Sequence, residues 1–224
     1  VDLRPTSYRK TKVFSRIQLD HTLRGGKLVP TGENKQQEAS AALLAAQGGT
    51  LQLGCGGGKT VIALHVIAQL GVPAIIIVDT TQLVLQWQEA ITTFLDVPGG
   101  VGLVQADTFD WKKSIVLATY HTLAARSEVF PEEARRWFGV AIWDEAHHVS
   151  APTFSRSADL FYGRRYGLSA TPKREDGLHV IHEFHFGDVL YRDLQQELKP
   201  RIYFIWTGLS LDTSNPHVVD ATYS

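Results

Sequence analysis

The chain has 224 residues, 44% of them hydrophobic and 20% charged, with a formal net charge of -1. That length and apolar content suffice to bury the core of one domain, which excludes an intrinsically disordered chain; the single cysteine, Cys55, excludes an internal disulfide and any cysteine-based zinc or iron-sulfur framework. No apolar run approaches ~18 residues and the first twenty residues carry no apolar signal stretch, so a cytoplasmic or nuclear protein is expected, neither exported nor set in a membrane.

Before Gln36, eight lysines and arginines face only Asp2, Asp20 and Glu33. This basic extension, residues 1–33, suits a phosphate backbone, a solvated surface or the edge of a neighbouring domain equally. A sequence that starts at Val1 and contains no methionine is expected to lack its native start. From Asn34 onward Ala39, Ala42, Leu43 and Ala46 share one helical face, and Gly48-Gly49 are expected to end that helix. A strand over 50–53 then runs into a glycine-rich turn. Val61, Leu64, His65 and Ala68 mark one side of the next helix, which closes near Gly71.

Residues 74–78 form a β-branched apolar run, and Val84, Trp87, Ile91 and Phe94 mark a third helix that Pro98 and two glycines close off. Further short apolar strands read at 114–118, 140–143 and 166–169. Alternating strands and helices predict an α/β domain over 34–195: a mainly parallel sheet covered on both faces, with ligands at the carboxyl ends of its strands. After Gly177 the pattern changes. One more strand reads at 201–206 and a polar tail at 212–224, so 196–224 is expected to be a strand and linker leaving the domain.

The glycines of Gly54-Cys55-Gly56-Gly57-Gly58-Lys59-Thr60 let backbone N–H groups approach phosphate oxygens at a strand-to-helix turn. Lys59 is placed to reach the β- and γ-phosphates of ATP and Thr60 to offer a hydroxyl to Mg²⁺, although Leu53 stands where the G-x-x-x-x-G-K-[ST] pattern has its first glycine. The strand at 140–143 delivers Asp144, suited to hold the metal, and Glu145, suited to orient or deprotonate the attacking water. Two acids after a buried strand also arise by chance. Together with Lys59 and Thr60 they define a nucleotide site.

Asp144-Glu145-Ala146-His147 resembles the DEAH form of helicase motif II, and Ser169-Ala170-Thr171 resembles motif III of superfamily two. Gln36 with Ala39 is similar to the Q-motif region, Asp79-Thr80-Thr81 with Leu83, Gln86 and Trp87 to motif Ia, and Thr119-Tyr120-His121-Thr122-Leu123 to the TYxxL segment. Arg174-Glu175-Asp176 matches the RED triplet of the branch that holds XPB-like and phage and viral DNA helicases, and Phe186-Gly187-Asp188-Val189-Leu190-Tyr191 follows as it does there. Two positions depart from the family: its arginine and proline before the Q-motif glutamine are replaced around Asn34-Lys35, and Gly54 stands where many relatives have proline.

The resemblance implies a RecA-like P-loop fold and the ATP-binding motor domain of an ATP-dependent DNA helicase or translocase, with RNA as the alternative strand and host cytoplasm as the location if the source is viral. It implies that Gln36 reads adenine, with Gln37 as a substitute, and that Gly54 to Gly58 cradle the phosphates. Lys59, Asp144, Glu145 and His147 are the expected catalytic residues, His147 linking the ATP site to motif III. Thr80, Thr119 and Tyr120 would touch the nucleic-acid backbone, and Ser169, Ala170, Thr171, Arg174, Glu175 and Asp176 would couple hydrolysis to movement. No arginine-rich Q-x-x-G-R-x-x-R segment follows Tyr191, so a second motor domain is expected outside this chain, leaving the piece able to bind ATP weakly and to unwind nothing.

A small-molecule kinase would share the P-loop but would not need the stretches at Thr80, Thr119 and Ser169. A nucleotide-dependent binding module without turnover would not need Lys59, Thr60, Asp144 and Glu145 together. His179, His182 and His185 lack the H-E-x-x-H spacing of a helical metal site. Trp87 falls on the apolar stripe of its helix and is expected to pack in the core rather than stack on a base.

Overall fold

The computed structural model describes Pro5 and residues 7–24, 27–145, 151–170 and 184–194. One sheet of eight strands organises the domain, in the order β12 (Val189–Asp193), β4 (Gly48–Leu53), β11 (Arg164–Ser169), β10 (Val140–Asp144), β5 (Ala74–Val78), β9 (Ile115–Thr119), β7 (Gly102–Gln105) and β8 (Thr108–Phe109). Every neighbouring pair is parallel except β7 and β8, which form an antiparallel edge. All residues of β5, β9 and β10 are buried, as strands covered on both faces must be.

Alternation along β5 divides the core: Ala74, Ile76 and Val78 meet one cluster with Leu64, Ile67 and Trp87, while Ile75 and Ile77 meet the other with Trp143, Phe154 and Phe161. The first cluster lies under α1 (Lys35–Ala45), α2 (Lys59–Leu70) and α3 (Thr81–Phe94); the second lies under α4 (Tyr120–Ala125), α5 (Glu132–Trp137) and α6 (Ala151–Ala158). The fold is therefore the α/β sandwich expected from the sequence. No helix among the described residues is long and apolar enough to cross a membrane.

Three local expectations need correction. Helix α1 ends at Ala45, and Gly48 and Gly49 open β4 instead of capping the helix. A Cβ on Gly49 would lie 2.3 Å from Leu190 Cγ, so this glycine is required by the close approach of β12. Helix α2 buries Ile62, Ala63, Val66 and Ile67 beside Leu64, whereas Val61, His65 and Ala68 are only half-buried. Its apolar surface is broad because α2 touches both α1 and α3 as well as the sheet. Strands β7, β8 and β12 escape the periodicity of the sequence, being short or only partly buried. The strand expected at 201–206 and the tail lie outside the described residues.

The basic extension is bound to the domain. Thr11 N donates to Gly71 O at 3.0 Å and Arg16 N to Phe94 O at 2.9 Å, while β1 (Phe14–Ser15) pairs with β6 (Leu95–Asp96). A hairpin of β2 (His21–Arg24) and β3 (Lys27–Pro30) follows. Just before it, buried Asp20 takes a left-handed backbone (φ 58°) and turns its carboxylate onto the start of α1. Oδ1 accepts from Gln36 N at 2.8 Å and Oδ2 from Gln37 N at 3.1 Å, and Asp20 N donates in return to Gln36 Oε1 at 2.7 Å. Asn34, at the N-cap position, makes no side-chain cap, so a residue fourteen positions earlier satisfies the orphan amides of the first turn. Asp20→Ala is expected to cost about 2 kcal/mol in urea unfolding, because it leaves two helix amides without a partner, and Asp20→Asn less.

Candidate active site

The expected nucleotide-site residues Lys59, Asp144 and Glu145 lie at or just beyond the carboxyl ends of β4 and β10, beside Ser169 and Ala170 at that of β11. β4 stops at Leu53 and α2 starts at Lys59, so the intervening glycines form a strand-to-helix loop at a helix N-terminus. Gly56 (φ 87°) and Gly58 (φ 82°) hold left-handed conformations that side chains resist. A Cβ on Gly58 would also fall 2.5 Å from Gln36 Nε2, and one on Gly57 3.1 Å from Leu53 Cβ. Phosphate-sized anions suit such a loop, whose exposed tip is Cys55 and Gly56.

Lys59, in the first turn of α2, sends Nζ to Glu145 Oε1 at 3.1 Å and to Leu53 O at 3.3 Å. Glu145 extends the pairing of β10 with β11 by one step, its N–H donating to Leu168 O at 3.0 Å, and then turns with φ 47°. For a residue with a Cβ that conformation costs on the order of 1–2 kcal/mol and points to a site held by its surroundings. Ala170 N donates to Glu145 Oε2 at 3.4 Å, which brings the Ser169-Ala170 stretch against the same carboxylate.

Asp144 is 8% exposed at the end of β10. Burial pushes its carboxyl above the usual range, while the Trp87 hydrogen bond and Lys59 pull it back. Trp87 Nε1 donates to Asp144 Oδ2 at 2.8 Å. The sequence places Trp87 in the core, where it is, but does not show that its polar edge reaches the acid 57 positions away; the signal is that a buried indole N–H needs an acceptor. With the hydroxyl of Thr60, Asp144 provides hard oxygen donors of the kind Mg²⁺ prefers, so the side chains present fit that ion and a nucleotide.

The expected nucleic-acid residues separate. Thr80 is exposed, and its hydroxyl caps α3 by accepting from Leu83 N at 3.2 Å. Thr119 is buried, its hydroxyl 2.9 Å from that of Thr122. Tyr120 is fully buried and donates to the carbonyl of Asp144 at 3.3 Å, so its side chain cannot meet a strand at the surface. The first residue of α4 thus faces inward, and neighbouring His121, largely exposed with Nδ1 3.8 Å from Asp79 Oδ1, takes the outer position. Gln36 reaches the glycine loop through Nε2, and its carbonyl oxygen accepts from Asp20 N. His147, Thr171, Arg174, Glu175 and Asp176 lie outside the described residues, as do His179 and His182; His185 packs edge to face on Phe154.

The Lys59–Glu145 pair is mostly shielded, with side-chain exposures of 14% and 21%. In a double-mutant cycle of Lys59→Met and Glu145→Gln without nucleotide, urea unfolding is expected to return a coupling of about 1–2 kcal/mol, between the values typical of surface and buried pairs. Additive effects would show that the contact holds nothing.

The family described as "Type III restriction enzyme, res subunit" matches residues 31–174. Over 165 residues the chain is 36% identical to a protein of Sulfurisphaera tokodaii named "DNA 3'-5' translocase XPB2", covering 73% of this chain and 36% of that protein. It is 29% identical over 177 residues to the "Putative ATP-dependent RNA helicase L396" of Acanthamoeba polyphaga mimivirus, covering 79% of this chain and 33% of that one. The chain thus spans about a third of the length of these relatives. Among solved structures, the UvsW helicase from bacteriophage T4 superposes with a TM-score of 0.60 at 19% identity, over 77% of this chain and 64% of that one, a likeness of fold. With the family matched over well more than half of its residues, the chain belongs to the type III restriction enzyme res-subunit family of superfamily-two helicase domains, among relatives of XPB-like and viral helicases.

Proposed function

We propose that the chain is the ATP-binding first motor domain of a DNA helicase or translocase working inside the cell, in the cytoplasm or nucleus. The observation that carries this is the convergence of Lys59, Glu145, Asp144 and the backbone of Ala170 at one end of the sheet. In the proposed cycle the glycine loop and Lys59 take the phosphates, so Lys59 leaves Glu145. The Glu145 carboxylate, still accepting from the Ala170 N–H, then orients the attacking water and receives its proton as the bond from the γ-phosphorus to ADP breaks. Thr60 and Asp144 would hold Mg²⁺, which supplies neutralisation of phosphate charge. Because Ala170 N touches the same Glu145 carboxylate, a change in that side chain reaches the Ser169-Ala170-Thr171 segment, consistent with a coupling role shared with Arg174, Glu175 and Asp176. His147 is proposed as a further link between these parts.

Exposed Thr80 and the backbone at Thr119 are proposed to meet nucleic-acid phosphates, with Gln36 holding the glycine loop from behind. Movement along a strand is proposed for the longer protein, where a second motor domain closes on the nucleotide and supplies arginine.

Two measurements test this. Lys59→Ala is expected to weaken nucleotide binding by roughly 10–100-fold, as loss of a charge-assisted contact does, whereas Glu145→Gln should keep binding and slow single-turnover hydrolysis by about 10²–10⁴-fold. Wild-type hydrolysis by Glu145→Gln would remove Glu145 from the chemistry. Strand binding should fall steeply with salt, tolerate changes of base sequence and weaken in Thr80→Ala; parallel titrations with single-stranded DNA and RNA decide the strand, and base-specific binding indifferent to salt would contradict the backbone contacts.

A further inference from the structure

Asp144 is held from two sides by aromatic donors on two different helices. Trp87, from the second turn of α3, gives its indole N–H to Oδ2 at 2.8 Å, and Tyr120, the first residue of α4, gives its hydroxyl to the main-chain carbonyl at 3.3 Å. Both rings are buried, with 2% and 0% exposure, so neither can exchange its bond for one to water. An indole N–H only donates, which commits Oδ2 as an acceptor and fixes the carboxylate in one rotamer. Packing does not explain this direction. The other described tryptophans do not behave alike: Trp137 Nε1 donates to the carbonyl of Lys113, and buried Trp143 Nε1 has no hydrogen-bond partner among the described residues. The fold therefore tolerates an unpaired indole in its core, yet it aims that of Trp87 at the one acid expected to bind metal.

We infer that Trp87 is a positioning residue for Asp144, setting the carboxylate in the orientation in which it accepts the nucleotide-bound divalent ion. This rests on the proposed role of Asp144 as a metal carboxylate. Outer hydrogen bonds of this kind raise metal affinity by holding the ligand ready, and their loss commonly costs 10–100-fold. The bond also ties the carboxylate, at the end of β10, to α3, the helix whose N-cap two turns before Trp87 is Thr80. Asp144 and the proposed strand contact are thereby fixed relative to each other.

The test replaces Trp87 in the full chain by benzothienylalanine, which keeps the ring shape and substitutes sulfur for the N–H, with Trp87→Phe as a second donorless variant. Mn²⁺ is titrated into each protein with ADP bound and followed by electron paramagnetic resonance; thermal melting and metal-free ADP affinity are measured alongside. Both variants are expected to need at least about tenfold more Mn²⁺ for half-saturation, with metal-free ADP affinity unchanged. Half-saturation at the wild-type Mn²⁺ concentration by either variant overturns the positioning role, and so does a loss of metal-free ADP affinity equal to the loss for Mn²⁺, which would mark a general structural defect. Asp144→Asn separates the two levels: if it binds Mn²⁺ as the wild type does, the metal role of Asp144 falls and the inference with it, whereas a weakened Asp144→Asn beside undisturbed Trp87 variants overturns the inference alone.

Discussion

β5, β9, β10 and β11 each pair with a strand on both sides and their buried side chains fill the cores on the two faces, so a charge reaches solvent most readily where a strand runs out. Asp144 stands at that limit. It is the last residue of a strand whose other four members are Val140, Ala141, Ile142 and Trp143, and it stays mostly enclosed. Glu145 lies one step beyond, where the backbone must turn sharply to leave the sheet. The two adjacent acids thus live in different surroundings: one is buried and tethered by hydrogen bonds, the other bends back over the glycine loop. Neighbouring carboxylates become suited to different tasks through such a difference in environment.

The glycine loop meets the same constraint from the other direction. Lys59 is drawn from bulk water, and without a counter-charge its ammonium would carry a desolvation penalty. Glu145 supplies that charge, and Lys59 in turn helps keep Glu145 in its left-handed backbone. Each group is stable because the other is present. Any change at Lys59 therefore alters the surroundings of Glu145, which keeps its bond from the Ala170 N–H.

The parallel sheet and the loop were legible because their signals are local: β-branched runs at 74–78 and 140–143, and four glycines around Cys55 ending in Lys59-Thr60. Contacts that depend on tertiary approach left no local trace. Asp20 lies in the basic extension and carries no sign that it caps α1 sixteen positions later or that its own N–H donates to the Gln36 side chain. Tyr120 illustrates another limit. A motif fixes which residues occur together but not which way each side chain faces, and the packing of α4 turns this ring to the core. Gly49 resembled a helix stop because glycine serves both turns and close strand contacts, and only the position of Leu190 tells them apart.

Strand β4, which leads into the glycine loop, is flanked by β11 and β12, the two described strands that come last in the sequence, and the N–H of Gly54 at the mouth of the loop is accepted by the carbonyl of Asp193. A ribosome adding about 5–20 residues per second needs on the order of ten seconds to travel from the loop to Asp193. Until Ser169 is made the nascent β4 has neither lateral partner and presents two open edges, and from there to Asp193 the edge that β12 covers is still open. Nucleotide cannot assist folding at this stage, because the turn that would grasp it is not yet anchored. The interval belongs to whatever shields unpaired strands during translation, and synthesis halted before Asp193 would release a polypeptide whose glycine loop is complete in sequence and unfinished in space.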